Sequence, residues 1–247
     1  MLRGLWRLTW LEIKIFLREP LGAIGTLVFP ILIFVLFARL GGRRPPGESA
    51  PILTGGDLPI FVSIMIALSA VLSLVTIVAV YREGGILKRL RATPMRPHTI
   101  LTAHVVVKLL FTFATLVALY LVGRRIFTAP PGTPLLAFSL AVLLSTLSIL
   151  TMGFVVASLV PVARFAQPVG ALIFYPMLVI CGLFFPVEQL TPTLRAIARV
   201  LPLTYAVSLM KGIWRGDGWL AHGSDLAALA LAMVICLAVS ARWFRWQ

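Results

Sequence analysis

Acidic residues are scarce: eight Asp and Glu stand against 22 Lys and Arg, and charged residues of both signs make up only 12% of the chain. An ordinary soluble domain carries about 25%. The apolar runs hold almost no acid, with Asp225 only at the edge of the last one. That counts against a proton-coupled carrier built on buried carboxylates, and against an intramembrane hydrolase. Cysteine is nearly absent too. Cys181 and Cys236 each lie inside an apolar run and read as small core residues, not as a disulfide or metal pair. His98, His104 and His222 are scattered, without carboxylate partners nearby in sequence, and no His-Glu-x-x-His pattern occurs. No G-x-x-x-x-G-K-S/T loop is present to cradle nucleotide phosphates. The chain is therefore expected to be no enzyme in its own right, with no metal site and no bound cofactor. It shows no internal repeat and no low-complexity segment. Its first apolar run lacks a small-residue cleavage site after it, so the N-terminus is expected to be retained.

What is present is apolar length. Of 247 residues, 60% are hydrophobic, and the mean hydropathy is +1.02. The expected class is an all-α integral membrane protein, one transmembrane domain over 1–247 with six spans at about 21–38, 58–81, 99–122, 135–160, 165–187 and 225–242. The net charge of +14 sits in short loops between the runs, which fits headgroups and topology better than nucleic acid. Six spans put both termini on one side. With the termini in the cytoplasm, twelve of the 22 basic residues fall on that side and nine on the other, Lys108 lying within the third span.

Residues 2–18 have helical period. Arg3, Arg7, Lys14 and Arg18 form one narrow stripe, and Leu2, Leu5, Trp6, Trp10, Ile13, Phe16 and Leu17 a broad apolar face, as in a helix lying on a membrane surface. His104 and Lys108 share a face of the third span; Lys108 either serves function or snorkels toward the inner headgroups. In 188–214, Leu194, Ile197, Ala198 and Leu201 make one apolar stripe and Leu203, Val207, Met210 and Trp214 another. Two short amphipathic helices fit, dipping into the outer leaflet, capping the bundle or lying flat on the outer surface.

Between the second and third spans lies a polar island, Arg82-Glu83-Gly84-Gly85-Ile86-Leu87-Lys88-Arg89-Leu90-Arg91-Ala92-Thr93-Pro94. Ile86, Leu87 and Leu90 share a helical face, glycines precede it and Pro94 stops it. The pattern alone fits a surface helix, a solvated loop or a short helix that docks into a soluble partner.

Glu83, Gly85, Leu87, Leu90, Ala92, Thr93 and Pro94 match the coupling-helix motif of ABC-2 type transporter permeases, the membrane subunits of ATP-driven exporters, although Gly84 and Ile86 replace a polar residue and a Thr. Gly182-Leu183-Phe184-Phe185-Pro186 and Leu201-Pro202-Leu203-Thr204-Tyr205 are similar to a second pair of motifs that follows the fifth span in that family. The layout of the resemblance covers nearly the whole chain. It implies a permease dimer, of identical or different chains, with two cytoplasmic ABC ATPase subunits that bind ATP and Mg, in the cytoplasmic (inner) membrane of a prokaryote. It implies coupling through 83–93, with Glu83, Gly85, Leu87, Lys88, Arg89, Leu90, Arg91, Thr93 and Pro94 at the contact. It also implies a surface helix held by Arg3, Arg7, Lys14 and Arg18, and an outer re-entrant pair. The second and fifth spans would line a path for a drug, lipid or lipid-linked glycan. Ser63, Ser69, Ser73, Thr76, Phe174, Tyr175, Phe184 and Phe185 are candidates there, with helix packing the plainer role for each. A different class, an ATP-independent transporter or membrane scaffold, is the alternative; a co-purifying ABC ATPase would discriminate.

Overall fold

The structure is a computed structural model and describes residues 2–18, 28–41, 58–84, 97–126, 135–160, 162–184 and 186–243. The described residues are all-α, as expected. In chain order the helices are α1 (Leu2–Arg18), α2 (Phe29–Gly41), α3 (Leu58–Glu83), α4 (Pro97–Ile126), α5 (Leu135–Leu159), α6 (Ala163–Ile180), α7 (Pro192–Val200), α8 (Pro202–Arg215) and α9 (Gly223–Trp243), with short 3-10 turns at Val187–Gln189 and Trp219–His222. Among the described residues, five stretches are long and apolar enough to cross a membrane, Ser63–Tyr81, Leu101–Val122, Leu135–Leu159, Ala163–Ile180 and Trp219–Ser240, or six if the bent pair Pro192–Val200 and Pro202–Arg215 is one broken span. The helix of the first expected span is described from Phe29, and the earlier part of 21–38 lies outside the described residues.

Two helices form the centre. The spanning stretches of α3 and α5 are 61% and 67% buried, against 17–33% for the other three. Both are apolar all round, which suits a helix enclosed by neighbours. α3 packs on α5 and α6, and α5 on α9 and α8, while α1 and α2 lie against α4. Small residues let the backbones approach. A Cβ built on Gly153 of α5 would stand 3.1 Å from Val71, and one on Gly170 of α6 would stand 2.9 Å from Leu72, both on α3.

The expected fifth span, 165–187, ends early, at Ile180. Gly182 takes φ of +87°, a left-handed conformation that only glycine adopts at little cost, and the chain turns out of the helix there. Beyond it, α7 and α8 meet at a bend of 83°. Leu201 is extended, φ −82° and ψ 124°, because a residue before proline is pushed out of the helical region; Pro202 then opens α8. The two stripes behave differently. Leu203, Val207 and Met210 of α8 are buried, whereas on α7 Ala198 is buried but Leu194 and Ile197 are exposed. α8 is a core helix set among α5, α6 and α9, and α7 rests at the edge against α6.

Candidate functional site

Most of the polar island lies outside the described residues: Gly85, Leu87, Lys88, Arg89, Leu90, Arg91, Thr93 and Pro94 all fall in the 85–96 gap. What is described is the frame that holds its two ends. α3 delivers the chain into it, and α4 carries the chain away.

Glu83 is the last residue of α3. Its Oε2 accepts a hydrogen bond of 2.7 Å from the backbone N–H of Ala163, the first residue of α6. The local N-cap of that helix is Val162, which offers no capping oxygen. A carboxylate from another helix takes that place, satisfying an orphan N–H and lying at the positive end of the helix dipole. The N-terminus of α6 is thereby fastened to Glu83, the second residue of the island.

A second polar group stands beside it. Tyr81, in the last turn of α3, donates its hydroxyl to Glu12 Oε1 of α1 at 3.2 Å. The same oxygen is 3.5 Å from Nε2 of His104 on α4. The Tyr81 and His104 rings meet edge to face, with centroids 5.3 Å apart. Glu12 is not among the residues expected at the site. Its signal was there: it is the one acid in 2–18, and at 100° per residue it points opposite the basic stripe, toward whatever covers the helix. On the outer side of α1, Trp6, Trp10, Leu11, Lys14 and Arg18 are exposed, while the side chains of Arg3 and Arg7 lie outside the described set.

Deeper in the bundle, Lys108 is buried at 6% exposure and donates to Ser73 Oγ of α3 at 2.6 Å. Snorkelling is thus overturned. Eleven residues into α4, at 1.5 Å per residue, Lys108 sits about 16 Å from Pro97, and its ammonium turns sideways to α3 instead of reaching for the helix end. Ser69 lines the same small cleft with Ile66, Ala70, Phe111, Thr112 and Thr115. Of the other path candidates, Ser69 and Thr76 donate to the carbonyls of Met65 and Leu72 on their own helix, and Ser63 is buried. Phe174 is wholly buried and Tyr175 exposed; Phe184 packs edge to face on Phe61, centroids 6.0 Å apart; Phe185 lies outside the described residues. The structure brings Ser69 and Ser73 together with Lys108, and not with the aromatic candidates.

The opposite end has its own polar ties, which the sequence reading missed. Lys211 Nζ donates to the carbonyl of Gly182 at 2.8 Å, joining α8 to the end of α6. Ser208 donates to Asp225 Oδ2 at 2.8 Å. That oxygen is also 2.8 Å from His222 Nδ1, and His222 Nε2 is 3.5 Å from Asp217. His222 therefore has two carboxylate partners close in sequence, contrary to the expectation; Asp225, three residues on, was the visible signal. Cys181 and Cys236 are free thiols.

Two comparisons bear on this arrangement. The family model described as ABC-2 type transporter matches residues 3–214. Nodulation protein J of Neorhizobium galegae is 35% identical over 97 residues, a match covering 39% of this chain and 37% of that protein's length.

Proposed function

The chain belongs to the ABC-2 type transporter family, and on that premise we propose that it is the permease of an ATP-driven exporter moving a hydrophobic or amphipathic substrate, a drug, lipid or lipid-linked glycan, across the cytoplasmic membrane of a prokaryote. A separate cytoplasmic ABC ATPase, binding ATP and Mg, supplies the power; this chain carries the membrane path and no P-loop of its own. Two permeases pair in the working complex, with both termini and 82–98 on the ATPase side. Closure of the ATPases displaces the helix 83–93, and the spans carry that displacement to the path. Leu87 and Leu90 seat against the partner, and Lys88, Arg89 and Arg91 steer toward its acidic rim.

The observation that carries this reading is the setting of Glu83. The basic island begins in the last turn of a central helix, α3, and its Glu83, the last residue of that helix, holds through 2.7 Å the first N–H of a second helix, α6. A push on the island is delivered to both. A solvated loop needs no such bond.

The test is Leu87→Ala with Leu90→Ala in the reconstituted complex. Losing a Leu that fills a partner's groove costs about 2–5 kcal/mol, while an exposed ion pair is worth about 0–1 kcal/mol. Transport and substrate stimulation of ATP hydrolysis are expected to collapse while basal hydrolysis persists, and Arg89→Ala to do far less. Full coupling in the double variant would sink the assignment.

A further inference from the structure

Three helices converge on the carboxylate of Glu12. Two of them, α3 and α4, are the shoulders of the island. Tyr81 precedes Glu83 by two residues, and His104 stands in the early turns of α4. One Glu12 oxygen reaches both, at 3.2 Å and 3.5 Å, and the two rings pack on each other. The tie is repeated deeper along the same pair of helices by Lys108 and Ser73, at 2.6 Å. Antiparallel helices joined at one level can pivot about it. Joined at two levels, they move together. Glu12 is also well shielded, at 16% side-chain exposure, so its hydrogen bond from Tyr81 faces little competition from water and holds more strongly than the same bond at a surface, while His104 Nε2, at 3.5 Å, stands in contact with the carboxylate without a hydrogen bond.

Glu12 belongs to the helix whose opposite side exposes Trp6, Trp10 and Lys14. We propose that Glu12 is a positioning residue that fastens α1 to both shoulders of the coupling segment, so that α1, the end of α3 and the start of α4 travel as one body when the ATPase moves that segment. The coupling stroke then reaches the membrane surface through α1, as well as the path through α6. This rests on the coupling reading of 83–93 for its driving force, but the fastening itself does not.

The experiment uses the full permease–ATPase complex in lipid nanodiscs, with Cys181 and Cys236 replaced by Ser. Spin labels go on Lys14→Cys and Val80→Cys, both exposed and outside the clasp, and in a second sample on Lys14→Cys and Leu231→Cys. Distances are read without nucleotide and after trapping with ATP and vanadate. The expected wild-type result is a 14–80 distance that is the same in both states and a 14–231 distance that shifts. Glu12→Ala is expected to make the 14–80 distance state-dependent while basal ATP hydrolysis continues. Glu12→Gln keeps an acceptor for the Tyr81 hydroxyl and is expected to restore most of the rigidity. Tyr81→Phe, which deletes one oxygen and keeps the ring, covers the case of misfolding in Glu12→Ala and is expected to loosen 14–80 in the same direction. The proposal is overturned by a 14–80 distance that already changes in the wild type, by one that stays rigid in both Glu12→Ala and Tyr81→Phe, or by a fixed 14–231 distance. If the Leu87/Leu90 variant stays coupled while these distances behave as expected, the coupling-helix assignment fails and the clasp stands.

Discussion

Lys108 and Ser73 allow a direct test of what a buried ammonium does in this bundle. The bond is short, 2.6 Å, and Lys108 is 6% exposed, so water cannot replace a lost acceptor easily. A hydrogen bond to a charged group is worth about 1.5–3 kcal/mol, and Ser73→Ala should cost that much. Lys108→Met should cost far less, within about 1.5 kcal/mol, since the swap nearly conserves volume and removes the charge that needs the acceptor. The Ser73 hydroxyl then has a simple alternative. Ser69 and Thr76 on the same helix already donate to carbonyls four residues back, and Ser73 can rotate to do likewise. In the Lys108→Met background, Ser73→Ala should therefore cost only about 0.5 kcal/mol, the low end for a neutral hydrogen bond. The assay is reversible unfolding in mixed micelles for wild type, both single variants and the double variant, which yields the interaction energy directly. An equal Ser73→Ala penalty in both backgrounds would refute the reasoning. Transport by the same four proteins separates the roles: Lys108→Met that is stable but inactive assigns the charge to the transport cycle.

Two further outcomes are expected. Gly212→Ala would place a Cβ 1.7 Å from Nε2 of His222, a ring held by Asp225 at 2.8 Å; it should destabilise by about 1–3 kcal/mol, read in the same unfolding assay, and His222→Ala added to it should recover part of the loss. Replacing Arg3, Arg7, Lys14 and Arg18 by Glu should abolish any gain in thermal stability as nanodiscs are enriched in anionic lipid, since each basic residue near such a surface is worth about 1 kcal/mol; an unchanged lipid dependence would reduce the stripe to a topology signal.

The parts of the fold that were legible share one property: they depend on position along a single helix. Apolar length located α3, α4, α5 and α9 close to their expected bounds. The switch of stripe between Leu201 and Leu203 separated α7 from α8, and Pro202 makes the bend there because the residue before proline resists the helical conformation. What was not legible depends on rotation between elements far apart in sequence. Glu12 meets Tyr81 across 69 residues, Glu83 meets Ala163 across 80, and Lys108 meets Ser73 across 35. Hydropathy ranks these residues as costly without saying which neighbour offsets the cost. The early end of α6 was missed for a related reason: the run stays apolar through Phe185, and Gly182 stops the helix by a backbone conformation that no apolarity scale records.

Two of these long-range bonds, Tyr81 to Glu12 and Ala163 to Glu83, fall at one end of the bundle, and α6 is held at both of its ends. Glu83 holds its first N–H, and Lys211 holds the carbonyl of Gly182 just past its last turn. Between those ends α6 rests on α3 by close packing, Gly170 against Leu72, with most of its surface uncovered within the chain, 22% of its spanning stretch being buried. Pro168 and Pro176 each remove a backbone hydrogen bond from it, leaving two points where it bends more readily than α3 or α5. A helix bonded at each end, loosely covered and softened in the middle responds to a push at Ala163 by bending or sliding. Either motion pulls on Lys211. Under the coupling proposed for 83–93, α6 is thus the element through which a displacement at Glu83 reaches α8, and α8 is the buried arm of the bent pair at the opposite end. The aromatic candidates divide along the same line. Phe174, fully buried, belongs to the packing that guides α6, whereas Phe184 lies just beyond Gly182 against Phe61 of α3, where a shift of the Lys211 tie would part the two rings.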